Sequence, residues 1–184
     1  MLMNEKLLIA GCKRGDPEAY KKLYDLYAPA MMSVCMRYVN NKETAQDLLQ
    51  EGFITIFTKI GTYSHSGSFA GWIRRIFVTT ALQHLRSNDT LRYSMDIEEY
   101  TGLADEVDVS ALERISTNEL MACVAKLPEG YRTVFNMFAI EGYSHSEIAE
   151  MLNIQESTSR SQFVRARKML QKGVESLMSI KDAR

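Results

Sequence analysis

YSHSEIAEMLNIQESTSRSQFVRARKML, residues 143–170, carries two helices and the turn between them. Ser144 with Glu147 fits a capping box, in which the serine accepts from the third backbone N–H and the glutamate reaches back to the cap. Ile148, Met151 and Leu152 supply a short helix with a buried stripe, and small Ala149 allows a second helix to approach closely. Asn153 falls where a turn residue is needed, and asparagine tolerates the left-handed conformation better than most residues. The next helix is expected to begin near Ser157 or Thr158. Phe163, Ala166, Leu170 and Val174 form its apolar face, at i, i+3, i+7 and i+11. The opposite stripe carries Ser161, Arg165, Lys168 and Lys172, flanked by Arg160 and Gln162. A short helix, a tight turn and a longer basic helix describe a helix-turn-helix. The same pattern also suits two amphipathic helices that pack together without reading DNA.

With 184 residues, the chain is long enough for one domain or two small helical ones, and three prolines suit a helical protein. Its formal net charge of −1 argues against a nucleic-acid binder until the charges are located. Lys and Arg gather after Arg160, whereas Asp96, Glu98, Glu99, Asp105, Glu106, Asp108 and Glu113 gather in mid-chain. The local distribution therefore says more than the total. Cys12, Cys35 and Cys123 are scattered and odd in number, so neither a disulfide framework nor a CxxC metal site is indicated. His65, His84 and His145 show no ligand spacing with them. No metal or cofactor is expected. Ile9-Ala10-Gly11-Cys12 superficially resembles a lipoprotein cleavage box, but Leu7 to Ile9 is too short for a signal-peptide apolar region. No apolar run approaches the roughly 18 residues of a spanning helix, so no direct membrane insertion and a cytoplasmic location are expected.

In the N-terminal half, Leu7, Leu8 and Ile9 belong to a first helix that stops around Gly15. Asp16-Pro17 starts the next, with aspartate as N-cap and proline at the first helical position. Leu23, Leu26 and Tyr27 continue its apolar stripe until Pro29 interrupts or kinks it. A helical run resumes over Met31–Val39. A further helix is expected from about Lys42 to Ile60. Leu49, Phe53, Ile56, Phe57 and Ile60 form its core stripe, and Asp47, Gln50, Glu51 and Thr58 lie opposite, joined by Ile54. That polar stripe suits either a solvated surface or a docking face. Gly52, inside the helix, costs about 1 kcal/mol relative to alanine, for which close packing is the only evident reason.

Gly61 to Ser68 reads as a loop. The following helix, Phe69 to about Arg86, mixes Trp72, Ile73, Ile76, Phe77 and Leu82 with Arg74, Arg75, Thr79, Gln83, His84 and Arg86. Rings beside a basic helix suit single-stranded nucleic acid, where bases stack and phosphates meet arginines. A core role for Trp72 fits equally. From Ser87 to about Val109 periodicity fades and acidic residues dominate, as in a linker. A second helical unit follows from about Ser110. In it, Leu127-Pro128-Glu129 starts a helix ending at Gly142 with Val134, Phe135 and Phe138 inward.

Taken together, these segments resemble the bacterial RNA polymerase sigma factors of the extracytoplasmic-function group, in the sigma-70 family, over nearly the whole chain. Ala45-Gln-Asp-Leu-Leu-Gln-Glu-Gly-Phe53 is similar to the family's A-x-D-L-x-Q-x-x-F stretch, and Ser68-Phe-Ala-Gly-Trp-Ile-Arg-Arg-Ile76 to its F-x-x-W-L-x-x-I segment. Leu127-Pro-Glu-Gly-Tyr-Arg132, Glu147-Ile-Ala-Glu150 and Arg165-Ala-Arg167 before Leu170 match in the second half. There are departures. Thr79 and Gln83 stand where Asn and Asp are usual, Ser159 where a buried valine is usual, Asn153 for a glycine and Gln162 for a common arginine.

The resemblance implies an all-α fold of two small helical domains joined by a flexible acidic linker. Residues 1–87 would bind core polymerase and the minus-ten element, 88–112 would be the linker, and 113–184 would read the minus-35 element. It implies that Asp47, Gln50, Glu51 and Ile54 meet the core. Tyr63, His65, Trp72, Arg74, Arg75, Thr79, Gln83 and Arg86 would serve minus-ten DNA. Thr158, Arg160, Ser161, Gln162, Arg165 and Lys168 would serve minus-35 DNA. RNA polymerase core and promoter DNA are the implied partners, with an anti-sigma factor common in the group. No nucleophile–base pair, metal cluster or phosphate loop is legible, so a non-enzymatic role is expected. A stand-alone helix-turn-helix regulator and a helical protein-binding adaptor are the alternatives.

Overall fold

The computed structural model describes residues 2–87 and 115–182, and the chain divides into two compact units, Met1–Leu85 and Arg86–Arg184. Every regular element among the described residues is helical. The predicted acidic linker, with Asp96, Glu98, Glu99, Asp105, Glu106, Asp108 and Glu113, lies outside the described residues.

The first unit contains α1 (Leu2–Lys13), α2 (Pro17–Val39), α3 (Lys42–Lys59) and α4 (Phe69–Ser87). Local chemistry sets the starts. The Asp16 side chain accepts from the Glu18 N–H with Pro17 at the first helical position, and Asn41 caps α3 by accepting from the Thr44 N–H. Leu23, Val34, Cys35, Tyr38, Leu48, Ile56, Ile73, Phe77 and Val78 are almost wholly removed from water and form the core. Two expectations for α2 need correction. The helix runs through Pro29 to Val39 without a break. Proline inside a helix costs about 3 kcal/mol, but apolar residues are buried on both sides of it, from Ala19 and Leu23 to Met31, Val34 and Tyr38, and their burial offsets that cost. Leu26, assigned to the apolar stripe, is instead 63% exposed.

The reason for Gly52 is visible. A Cβ built there would lie 2.6 and 2.7 Å from Cδ1 and Cζ of the buried Phe77 ring. Phe77 meets Phe53 edge-on with centroids 5.3 Å apart, so the glycine lets α4 seat an aromatic ring directly on the α3 backbone.

The second unit contains α5 (Thr117–Ala125), α6 (Glu129–Phe135), α7 (His145–Leu152) and α8 (Glu156–Asp182). α6 widens into a π-helical turn over Asn136–Ile140. The chain then turns at Gly142, which adopts φ +80°. Both capping boxes are complete, Ser116 with Glu119 at α5 and Ser144 with Glu147 at α7. Lys181 near the end of α8 pairs with Glu119 at 2.8 Å, tying the two helices together. Arg132 is buried and donates to the carbonyls of Ala125 (3.2 Å) and Leu127 (3.1 Å). It thereby satisfies the Ala125 carbonyl that the end of α5 leaves open and the Leu127 carbonyl in the connection to α6. Cys123, Val124, Leu127, Tyr131, Ala166 and Leu170 make the core between α5, α6 and α8.

Candidate nucleic-acid interface

The turn between α7 and α8 forms as its sequence dictates. Asn153 adopts φ 54°, ψ 49° as the C-cap of α7, and Ile148 and Leu152 are buried beneath it. α8 starts at Glu156, one or two residues before the expected position. A cluster with His145 and Ser159 buried and Phe138 and Phe163 half-buried joins the π-helical turn, α7 and α8. The His145 ring stacks on Phe138 (4.2 Å, 11°), Phe163 packs against both, and His145 Nδ1 lies 2.9 Å from Ser159 Oγ. Burial pushes the imidazole below its ordinary pKa. Nearby Arg160 adds to this and Glu156 opposes it.

The outer face of α8 presents most of the expected minus-35 residues. Arg160 and Lys168 are exposed, and Thr158, Ser161 and Arg165 are half-buried. Arg160 pairs with Glu156, Ser161 Oγ donates to the Thr158 carbonyl at 3.0 Å, and Arg165 Nη1 donates to the Tyr131 hydroxyl at 3.3 Å. Gln162 departs from the expectation. It is only 3% exposed, and its Oε1 is buried without a hydrogen-bond partner among the described residues. Ser159, Gln162 and Ala166 follow i, i+3, i+7, so Gln162 belongs to the inward stripe. A buried amide cannot read a base edge in this conformation.

In the first unit, Trp72, Arg75, Thr79 and Gln83 recur at i, i+3, i+7 and i+11 along α4. With Ile76 and Thr80 they line one side of an open cleft of about 280 Å³. Thr55 and Lys59 of α3 line the other side. Neither was assigned to a site from the sequence. Their i, i+4 spacing marks a shared helix face, but only the packing of α3 beside α4 brings that face to Trp72. Arg74 is half-buried and is not among the cleft residues, and Arg86 is exposed at the end of α4.

The loop before α4 also corrects an expectation. Tyr63 is not a free ring: it is 7% exposed and packs against Phe69 (5.1 Å) and Trp72 (5.4 Å). Its hydroxyl donates to the Gly67 carbonyl at 2.6 Å, and Lys13 Nζ donates to the Tyr63 carbonyl at 3.1 Å. Tyr63 therefore shapes the loop from beneath. His65 is the exposed ring, at φ 61° and centred 4.6 Å from Tyr63. Trp72 is half-buried, stacked on Phe69 with 12° between planes. It reaches both the core and the cleft.

On α3, Asp47, Gln50, Glu51 and Ile54 are all exposed and share one face, with Ile54 at 65%. An isoleucine this open between carboxylates and an amide gives the face a mixed apolar and acidic character.

Two small helical units, one with a helix-turn-helix and the other with an aromatic-basic cleft, suit a nucleic-acid-binding protein. Residues 23–90 match the model of sigma-70 region 2, and residues 117–170 that of sigma-70, region 4. The chain is 30% identical to the ECF RNA polymerase sigma factor SigW of Bacillus subtilis, covering 96% of this chain and all of that one. It is 29% identical to the RNA polymerase sigma-H factor of Pseudomonas aeruginosa, with 95% of each chain covered. The chain belongs to the ECF RNA polymerase sigma factors, and its function is that of a sigma factor in transcription initiation. Two solved structures share the fold. They are the sigma factor RpoE of Bartonella quintana in complex with the anti-sigma factor NepR (TM-score 0.52, 16% identity, 85% of this chain and 96% of that one), and CnrH in complex with the cytosolic domain of CnrY (TM-score 0.50, 19% identity, 92% and 96%).

Proposed function

We propose that the chain divides promoter recognition among three surfaces. The exposed face of Asp47, Gln50, Glu51 and Ile54 docks on core polymerase. The cleft between α3 and α4 holds the separated strand of the minus-ten element. The outer face of α8 enters the major groove of the minus-35 element, with Arg160, Ser161 and Arg165 towards bases and Lys168 and Lys172 towards phosphates. Residues 1–87 and 113–184 would then be the two working domains, with 88–112 as their tether. All bond-making chemistry is left to the polymerase, and this chain acts as its non-catalytic specificity subunit in the cytoplasm. An anti-sigma protein is part of the same proposal. RpoE, which shares this fold, was captured with one.

The observation that carries the strand-opening part is the composition of the cleft. A half-buried tryptophan lies beside Lys59 and Arg75, with Thr79, Thr80 and Gln83 along the same wall. Rings accept stacked bases and cations neutralise phosphates, a combination tolerant of sequence and suited to single strands. Stacking contributes roughly 1–3 kcal/mol per base, comparable with the few kcal/mol needed to extrude one. With Tyr63 packed under the loop, capture of a base there falls to His65, the loop backbone and Trp72.

Lys59→Ala with Arg75→Ala tests this. The closed-complex footprint should persist, while permanganate-reactive thymines decrease. The salt slope of opening should fall by about 0.7 for each single-strand phosphate left without its cation. Wild-type reactivity and slope in the double variant would remove the cleft from strand opening.

A further inference from the structure

A base-reading arginine is useful only where its fork is aimed, and α8 holds Arg165 against a fixed phenol. Arg165 Nη1 donates to the Tyr131 hydroxyl at 3.3 Å, joining residues 34 apart in sequence. Tyr131 is 7% exposed. Its ring belongs to the core with Cys123, Val124, Leu127, Ala166 and Leu170, so α5, α6 and α8 all hold it. Ala166, next to Arg165, has no exposed surface and fixes the α8 backbone against that same core. The hydroxyl is therefore an anchored point, whereas Arg165 is half-buried with a long, rotamer-rich side chain. Immobilising such a side chain before binding lowers the entropy lost on association. A guanidinium carries five N–H donors in a planar fork, and the phenol takes one of them.

We propose that Tyr131, outside the helix-turn-helix, is a positioning residue for promoter choice. It sets the orientation in which Arg165 meets the minus-35 element and so sharpens the base preference at the position Arg165 reads. The inference rests on the reading of α8 as the base-contacting helix. Tyr131 itself touches no DNA. Its effect passes through one hydrogen bond and should appear in specificity rather than in overall attraction to DNA. A phenylalanine keeps the ring and its packing and removes only the hydroxyl.

The test uses holoenzyme assembled from full-length chain and core polymerase, transcribing a promoter library randomised across the minus-35 element. Wild type, Tyr131→Phe, Arg165→Ala and the double variant are compared by transcript counts per sequence. Arg165→Ala should flatten the preference at one or two base pairs. Tyr131→Phe should flatten it at the same pairs by about three- to fivefold, the scale of one hydrogen bond, with unchanged melting temperature and salt slope. The double variant should match Arg165→Ala. A wild-type or sharper profile for Tyr131→Phe, while Arg165→Ala is flattened, would overturn the positioning role and leave Arg165 as a reader. Loss of preference by Tyr131→Phe in step with a lowered melting temperature would make the residue packing alone. A wild-type profile for Arg165→Ala would overturn the base-reading assignment, and the positioning role with it.

Discussion

Replacing Ser159 with valine would make this buried position apolar, and it should nevertheless destabilise the helix-turn-helix. Ser159 has no exposed surface and its hydroxyl lies 2.9 Å from His145 Nδ1. Leaving a buried polar group unsatisfied costs about 1–3 kcal/mol. The added carbons would return about 0.8 kcal/mol per buried CH₂ only if they fit. Space is short, because His145 is already stacked on Phe138 at 4.2 Å and packed by Phe163, and overpacking itself costs about 1–3 kcal/mol. The two costs add, so the expected net loss is at least about 2 kcal/mol, at about 4–8 °C of melting temperature per kcal/mol for a unit of this size. Thermal unfolding followed by circular dichroism on the full chain measures it, provided the two units are fitted as separate transitions. Ser159→Val with His145→Phe removes both polar partners and should recover the hydrogen-bonding part of the loss, about 1–3 kcal/mol. The pH profile checks the same site. The folded-state pKa of His145 is depressed, so the unfolded chain takes up the proton first. This contribution to stability is intact above about 6.5 and is lost as pH falls below it. His145→Phe should remove that slope. A Ser159→Val variant at least as stable as wild type, with no gain in the double variant, would refute the reasoning.

Gly52→Ala should lower the stability of the first unit by about 1–2 kcal/mol, because the clash with the Phe77 ring outweighs the roughly 1 kcal/mol gained in helix propensity; a raised melting temperature would contradict it. Charge reversal at Asp47 and Glu51, both exposed, should leave helicity unchanged yet weaken binding to core at least about tenfold in a competition assay, since like charges opposed across an interface cost several kcal/mol. Equal competition would reduce that face to solvated surface.

What could be read from the sequence was mostly what neighbours along the chain decide. The Asp16-Pro17 start, the Ser144–Glu147 capping box and the left-handed Asn153 each depend on a few adjacent residues, and each forms as its chemistry requires. The apolar stripe of α3 was legible because one repeated face buries Leu49, Phe53, Ile56 and Ile60. Packing between distant segments was not. Tyr63 sits among glycines and serines, yet Phe69, Trp72 and Lys13 enclose it. Lys59 and Thr55 gain meaning only when α3 lies beside α4. Pro29 looked like a break because its cost is local, whereas the packing that offsets it is spread over both halves of α2. Gln162 is the instructive miss. Its spacing from Ser159 and Ala166 already placed it inward, but its polarity and the run of polar residues around it suggested a surface position.

The assignment as a sigma factor is tested most directly by run-off transcription from a genomic promoter library, with core polymerase in the presence or absence of this chain. The expected result is a discrete set of new start sites that require both components, each preceded by shared minus-ten and minus-35 elements, while the chain alone gives no tight duplex footprint. Unchanged start sites on addition of the chain, together with tight sequence-specific binding of duplex DNA by the chain alone, would contradict it and identify a stand-alone regulator.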